Sequence, residues 1–503
     1  MNEAAFKSPE EFGRIYLPHY FSVKSPPFHR EISRLWSKKV HKVKKGEKGF
    51  NARGSKIVLA APRGHAKSTL ISLMCALHAA LMGYKKYIIL ISDTESQAVY
   101  FLDSIKHELT ENEKILEDFG EQKGKIWKNN SVVLKNGCRI DAMGSGQKLR
   151  GRRHIDRRPD LIILDDIEND EDVRSAESRR KLASWYFSAV SKAGDYYTDI
   201  VFVGTVLHKD SLLANLLQNA AYVSKVYRAV ESFSQSPLWE KWEKLYLNMA
   251  DPDRESTADS FFKSHKKEML EGTKVLWSEK MPYDSLMMMR LSEGEAAFSA
   301  EMQNTPSDRS DALFPKEWTG YYKDEDFKRD CFDFYGYCDP SLGKTASSDY
   351  SALITIAKNR ETGVMYVENA DIARRHPDAI LEDILSHAER IKRLYGKKYR
   401  LYGAEVNQFQ WFLKEQLSKE SAKRGIYLPV CEVRTVSDKI MRVQSLQPYI
   451  KNKYVLFSEE QTTLLNQLWD FPSGAYDDGP DALEGCVSLC RKTETACLKG
   501  LVI

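Results

Sequence analysis

Two patterns in the sequence predict an α/β protein built on two separate sheets. Over the first 225 residues short apolar runs alternate with amphipathic stretches, as expected for a parallel sheet with helices on both faces. Beyond residue 331 the predicted order is β-β-β-α-β-α-β, that of an RNase H-like sheet. A third observation attaches chemistry to the first half: "APRGHAKST", residues 61–69, lies between a predicted strand and a predicted helix. The resulting division is a core over 1–225, a small helical lid over 226–312, a linker over 313–330 and a second domain over 331–503.

The run Ile57 to Ala61 suits a buried strand, and "STLISLMCALHAALMG" carries apolar residues at helical spacing up to Gly83, a natural stop. The loop between them departs from G-x-x-x-x-G-K-[ST] at both outer positions, where Ala61 and Ala66 replace glycine, and keeps Gly64, Lys67 and Ser68. Lys67 is the residue to meet the outer phosphates of a nucleotide and Ser68 its magnesium, with Arg63, His65 and Thr69 completing the loop. Strand, loop and helix together define a P-loop NTPase core. Ala66 stands where the loop turns into helix, a place where a methyl group is expected to fit.

A second buried strand, "YIILIS" (87–92), leads into a helix capped by Asp93 or Thr94. The third, "DLIILDD" (160–166), delivers paired aspartates to a strand end, as a Walker B strand does. Asp165 is the magnesium-side residue; Asp166 is placed ahead of Glu168 as the acid that polarises the attacking water, both lying in the same turn. The fourth, "TDIVFVGTVLH" (198–208), ends in Gly204-Thr205, either a γ-phosphate sensor or a plain turn. Arg150, in the arginine-rich "GQKLRGRRHIDRRPD", is the first choice for an arginine finger, a solvated or DNA-facing basic loop being the alternative; Arg63, inside the phosphate loop, is a second candidate for contacting the γ-phosphate.

In the second half, "FDFYGYCDPS" ends a strand on Asp339, "YRLYGAEVN" carries Glu405, and "YDDGPDALEG" opens the last helix with Asp477, Asp478 and Asp481. Carboxylates at strand ends and a helix start are what a two-metal nuclease requires, and hard oxygen donors suit magnesium or manganese. Asp339, Glu405 and Asp481 form the expected triad, with Asp349 and Asp478 as auxiliary ligands.

Composition reads as that of a soluble, globular protein. The 503 residues are 42% hydrophobic, and 75 basic against 71 acidic side chains permit a nucleic-acid partner without demanding one. The eight cysteines form no C-x-x-C pair, as expected in a reducing cytosol, and neither a signal peptide nor an apolar membrane span is expected.

Taken in order, "APRGHAKST", "RPDLIILDDIEND", "VGTVLH", "AEMQNTP", "YCDPSLGKTASSDYSA", "AEVNQFQ" and "DDGPDAL" resemble the successive signatures of the large terminase subunit of tailed bacteriophages. The resemblance covers most of the chain. It implies an ATP-driven translocase of double-stranded DNA joined to an RNase H-like endonuclease that cuts concatemeric viral DNA. It further implies ATP and magnesium as cofactors, with manganese an alternative at the nuclease site, and a portal protein and a small terminase subunit as partners. A ring, pentameric in the family, would work on the procapsid in the host cytoplasm and be absent from the mature virion. Lys67, Ser68, Asp165, Asp166 or Glu168, Gly204-Thr205, Asp339, Glu405 and Asp481 match family positions; "PPFHREI" resembles its adenine-contacting segment and makes His29 a candidate there, an ordinary surface histidine being the preferred alternative. Lys439 and Arg442, in "SDKIMR", are candidate contacts to DNA phosphates. The alternatives are a repair or recombination nuclease with a helicase-like ATPase, which would separate strands, and a DNA-bridging scaffold with silent sites.

Overall fold

The computed structural model describes residues 8–40, 53–248, 250–306, 313–327, 331–340, 350–405, 410–426, 428–434, 439–472, 474, 476–491 and 501–502. Two compact units divide the chain: 1–233 with 273–286 and 298–308, and 234–272 with 287–297 and 309–503. The expected lid interval, 226–312, is thus shared between the units, and the expected linker contributes a strand to the second.

In the first unit the ordered segments are α1 (Pro9–Tyr16), α2 (Pro27–Lys39), β1 (Lys56–Ala60), then α3, whose π-helical start Thr69–Cys75 continues as Ala76–Leu81. They continue through β2 (Tyr87–Ser92), α4 (Glu95–Glu111), β3 (Lys123–Trp127), β4 (Ser131–Leu134), β5 (Arg139–Gly144) and β6 (Leu161–Asp165). After α5 (Ala176–Ser188) come β7 (Asp199–Gly204), α6 (Leu212–Leu217) and β8 (Val223–Val226). These strands form one eight-stranded sheet in the order β3-β4-β5-β2-β6-β7-β1-β8. It is parallel from β5 to β8, with β3 and β4 as an antiparallel edge.

Because successive strand residues face opposite sides, each strand feeds two cores. Ile57, Leu59, Ile88, Leu90, Leu161, Ile163, Val201 and Val203 bury against α1 to α4, through Phe12, Trp36, Leu77 and Leu102 among others. Val58, Ala60, Ile89, Ile91, Ile162, Leu164, Ile200 and Phe202 bury on the other face, against Tyr186 of α5 and Leu212, Leu213 and Leu216 of α6. The sequence shows this as unbroken apolar runs, since a strand covered on both faces has no polar side.

A two-stranded sheet, β9 (Val230–Ser232) with β10 (Lys274–Val275), completes that unit. Between the two strands run α7 (Leu238–Leu247) and α8 (Arg254–Met269); α9 (Tyr283–Glu293) and α10 (Glu295–Glu301) follow.

The second unit is built on β11 (Gly320–Tyr321), β12 (Phe332–Asp339), β13 (Ser351–Asn359), β14 (Met365–Ala373), α11 (Pro377–Tyr395), β15 (Tyr399–Glu405), α12 (Gln410–Lys423) and β16 (Val430–Arg434). Then come α13 (Lys439–Gln444), β17 (Val455–Phe457), α14 (Thr462–Asp470), α15 (Asp478–Arg491) and β18 (Leu501–Val502). Its sheet runs β11-β17-β14-β13-β12-β15-β16-β18. Strands β12, β13 and β14 are antiparallel neighbours, whereas β12, β15 and β16 run parallel, which is the RNase H-like arrangement. One face is covered by Ile380, Ile384, Ala388 and Ile391 of α11. The other carries α15, where a Cβ on Gly485 would stand 2.4 Å from the Tyr337 ring, so only glycine lets the helix lie this close to β12.

Candidate active sites

In the first unit the sheet order puts β7 between β1 and β6, and the C-terminal ends of the three strands meet. The Ala61 amide donates to the Gly204 carbonyl at 3.0 Å and the Thr205 hydroxyl to the Ala61 carbonyl at 3.2 Å. The Asp166 amide donates to the Val203 carbonyl at 3.0 Å, and a Cβ on Gly204 would lie 3.2 Å from Asp166 Oδ1. Gly204-Thr205 is therefore wedged between the phosphate loop and the paired aspartates, where a shift of either reaches the other.

Across this junction Ser68 Oγ donates to Asp165 Oδ1 at 3.0 Å and Ser72 Oγ to Oδ2 at 2.5 Å. Burial, and then the charge of Asp166, push the Asp165 carboxyl above its ordinary range, against the pull of Ser72, Lys67 and Ser68. A serine hydroxyl and a carboxylate side by side beside a lysine are the donor set that suits a nucleotide-bound magnesium ion. Lys67 Nζ pairs with Asp166 Oδ2 at 2.9 Å.

Loop geometry explains which glycine the sequence keeps. Gly64 has φ +74°, and a Cβ there would meet Met281 at 2.5 Å. Ala66 also takes a left-handed conformation, at φ +58°, so the loop retains glycine's backbone although the residue is alanine. That conformation costs an L-residue roughly 1–2 kcal/mol, a strain that residue spacing does not reveal. Asp166 is left-handed too, at φ +44°, which aims its carboxylate back at Lys67.

Glu168 has a different employment from the one the sequence allows it. Its Oε1 accepts from the Leu212 amide at 2.7 Å and its Oε2 from the Leu213 amide at 2.9 Å, capping α6 from a buried position. Burial raises its pKa and the Leu213 and Leu212 amides oppose that rise. With both Glu168 oxygens so held, Asp166 is the one of these two acids that faces the loop.

Sequence reasoning misses two neighbours. Glu301, at the end of α10, pairs with Arg63 at 2.9 Å, and its carbonyl accepts the Arg63 amide at 3.1 Å. Burial raises the Glu301 pKa while Arg63 lowers it, Asp170 raises it and Lys67 lowers it, so this third carboxylate sits within the field of the loop lysine. Asn304, with φ +52°, accepts the Val206 amide at 2.8 Å and donates to the Tyr227 carbonyl at 2.8 Å, tying "AEMQNTP" to the end of β7. That string is the signal that could have found them. Arg150, by contrast, donates to the Ser188 carbonyl at the end of α5, at 3.0 and 2.7 Å.

His29 is buried, its Nε2 3.0 Å from the His65 carbonyl oxygen. Burial depresses the pKa of both His29 and His65 to about 4. His29 also lines a cavity of about 240 Å³ with Arg14, Phe21, Arg30, Leu70 and Met74, against the helix that follows the phosphate loop.

In the second unit Asp339 and Glu405 end neighbouring parallel strands, in register one step beyond Cys338 and Ala404. Asp481 is buried in the first turn of α15, which packs against β12 and β13. Asp349 lies outside the described residues, and Glu405 is placed by its backbone. Lys439 Nζ binds Asp477 Oδ1 at 2.7 Å and Asp481 Oδ2 at 3.4 Å. Burial disfavours its charge, yet the Asp477 hydrogen bond and the charges of Asp481, Asp477 and Asp339 outweigh that and raise its pKa. The Arg442 side chain is 9% exposed and pairs with Asp481 at 2.8 Å and Glu484 at 3.5 Å. These two cations thus face the acids rather than an open surface. Asp478 Oδ2 accepts the Tyr350 amide at 3.4 Å. Among the described residues no ready group of three metal-ligating side chains occurs; the fit to hard divalent ions rests on carboxylates gathered at one sheet end, whose field already draws in Lys439.

The class defined by these features is an α/β chain carrying a P-loop NTPase sheet and an RNase H-like sheet. No family model and no curated protein matches it. Along most of its length it is similar to solved large terminase structures from several phages. For the large terminase of a thermophilic bacteriophage, identity is 9% over 92% of this chain and 97% of that one, with a TM-score of 0.41. The bacteriophage HK97 large terminase gives 14% identity over 93% and 95%, with a TM-score of 0.32. The human cytomegalovirus terminase nuclease domain gives 16% over 37% of this chain and 94% of that one, with a TM-score of 0.30. No helix among the described residues is long and apolar enough to cross a membrane.

Proposed function

We propose that this chain is a DNA-packaging motor of the large terminase type: an ATPase that drives duplex DNA into a procapsid and a metal-dependent endonuclease that cuts it. The observation that carries the reading is the junction of Ser68, Asp165, Lys67 and Asp166 with Gly204-Thr205 lodged between them. Lys67 and the loop amides bind the phosphates, and Ser68 and Asp165 would hold magnesium, which would supply charge neutralisation there. Asp166 orients the attacking water and takes its proton, which requires Lys67 to leave Asp166 for the nucleotide. Loss of the γ-phosphate then alters the contacts made by Thr205 and Gly204, and β7 transmits the change. The cavity beside His29 receives the adenine base. Arg150 acts as the arginine finger, in its own or a neighbouring subunit, and must leave the Ser188 carbonyl to do so.

Asp339, Glu405 and Asp481 would hold the nuclease metals, with Asp478 as an auxiliary ligand; such ions would supply activation of a water and charge stabilisation at the leaving oxygen. A ring on a portal protein, with a small terminase subunit choosing the DNA, completes the proposal. It is tested by Lys67→Ala and Asp339→Ala side by side. The first is expected to abolish ATP turnover and leave manganese-dependent plasmid cutting intact, and the second to do the reverse. Loss of both activities in either variant contradicts two separate centres.

A further inference from the structure

Two adjacent arginines at the end of β14 have opposite fates. The Arg375 side chain is buried, pairing with Asp383 at 2.7 Å and with Asp371, and donates to the Ser351 carbonyl at 3.0 Å; it locks the β13–β14 hairpin. Arg374 is exposed. Its guanidinium lies 4.8 Å from the Tyr350 ring centroid and 5.6 Å from that of Tyr476, and it donates to the Tyr476 hydroxyl at 2.8 Å. The two rings stand edge to face, with centroids 4.8 Å apart.

Three observations place this group beside the acids. Ser351 pairs with Ala373, which sets Tyr350 opposite Arg374. Asp339 pairs with Ala352, two residues along from Tyr350 and so about 7 Å away at strand rise. The Tyr350 amide donates to Asp478. Lys439 and Arg442 pair with Asp477, Asp481 and Glu484 inside the cluster, and Arg374 is an exposed cation at its rim.

We propose that Arg374, held by Tyr350 and Tyr476, grips a phosphodiester of the DNA strand presented to Asp339 and Asp481. The inference rests on the nuclease reading above. A guanidinium stacked on a ring keeps its in-plane N–H donors pointing outward, and a fixed fork loses little entropy on meeting two phosphate oxygens. Lysine would keep the charge but neither the stacking nor the fork.

The test is the binding of a short labelled duplex to the full chain in calcium, followed by anisotropy across a salt series, with manganese-dependent cleavage measured in parallel. Arg374→Ala is expected to weaken binding about threefold to tenfold and to reduce the slope of log K against log salt by about one. Cleavage by the same variant should show a raised KM with kcat within about twofold. Arg374→Lys, which keeps the fold if alanine does not, should restore the slope and only part of the affinity. Lys392→Ala, an exposed lysine on α11, should change neither. Wild-type cleavage with an unchanged slope and affinity in Arg374→Ala overturns the phosphate grip while leaving the nuclease reading standing. Absence of cleavage in the wild type, with the Arg374 effect on binding present, removes the nuclease reading and keeps the grip.

Discussion

Glu168→Gln separates two roles that adjacent acids could exchange. In the structure both Glu168 oxygens accept backbone N–H groups of α6, at 2.7 and 2.9 Å, from a buried position. An amide supplies one acceptor and turns its NH2 group against the remaining N–H. One charge-assisted hydrogen bond is lost and a buried donor is left facing a donor, together about 3 kcal/mol. For a unit of this size that lowers the thermal midpoint by roughly 6–12 °C. ATP turnover well below the new midpoint should persist. Asp166→Asn is expected to do the opposite. Its partner Lys67 sits across from a carboxylate 36% exposed, so stability changes by about 0–1 kcal/mol, while hydrolysis falls about 10²- to 10⁴-fold with ATP still bound. Thermal unfolding and single-turnover hydrolysis of the two variants decide the matter. Glu168→Gln that keeps its midpoint but no longer hydrolyses ATP refutes the assignment.

Ala66→Gly should relieve the left-handed strain at φ +58° and, after the unfolded-state entropy of glycine is subtracted, stabilise the first unit by about 0.5–1 kcal/mol. A lower midpoint would show that Ala66 is not strained. His29 and His65 are held near pKa 4 by burial, so the unfolded chain binds more protons than the folded one between about 6.5 and 4. Stability is fully present above pH 6.5 and lost as pH falls toward 4, each unit of depression being worth ~1.4 kcal/mol per histidine. His29→Leu should flatten that slope in thermal melts across this range, and an unaltered slope would contradict it. Gly485→Ala should destabilise the second unit by about 1–3 kcal/mol, because the methyl would enter the Tyr337 ring; unchanged denaturant midpoints would count against the close approach of α15.

Much of this architecture is legible because a strand buried on both faces cannot hide. Residues 57–61, 87–92, 160–166 and 198–208 are all apolar runs that the structure places in adjoining central strands. The edges are not legible for the same reason. Strand β3, "KGKIW", is partly exposed throughout and carries two lysines in five residues, and β11 and β18 are two residues each, so none produces a periodic signal. The stretch from about 209 to 312 reads as charged and helix-rich without a break, and its part from 226 onward is shared between the two units.

At the sites the structure brings the Ser68 hydroxyl onto Asp165 and places Asp165 within the field of Lys67. Competition between Asp166 and Glu168 could not be resolved from spacing, because it depends on where the amides of Leu212 and Leu213 arrive in space. Glu301 and Arg442 show the same limit from the other side. Their partners lie 238 and 39 positions away, Arg63 and Asp481 respectively, and a charge in sequence carries no mark of the ion it will meet.

The most direct measurement of the central claim is protection of duplex DNA from added nuclease by empty capsids carrying portal, supplied with this chain and ATP. Protection should appear with wild-type protein and ATP, vanish with Lys67→Ala, and proceed on DNA that remains double-stranded. Brisk ATP hydrolysis without protection, or with strand separation instead, would contradict a packaging motor.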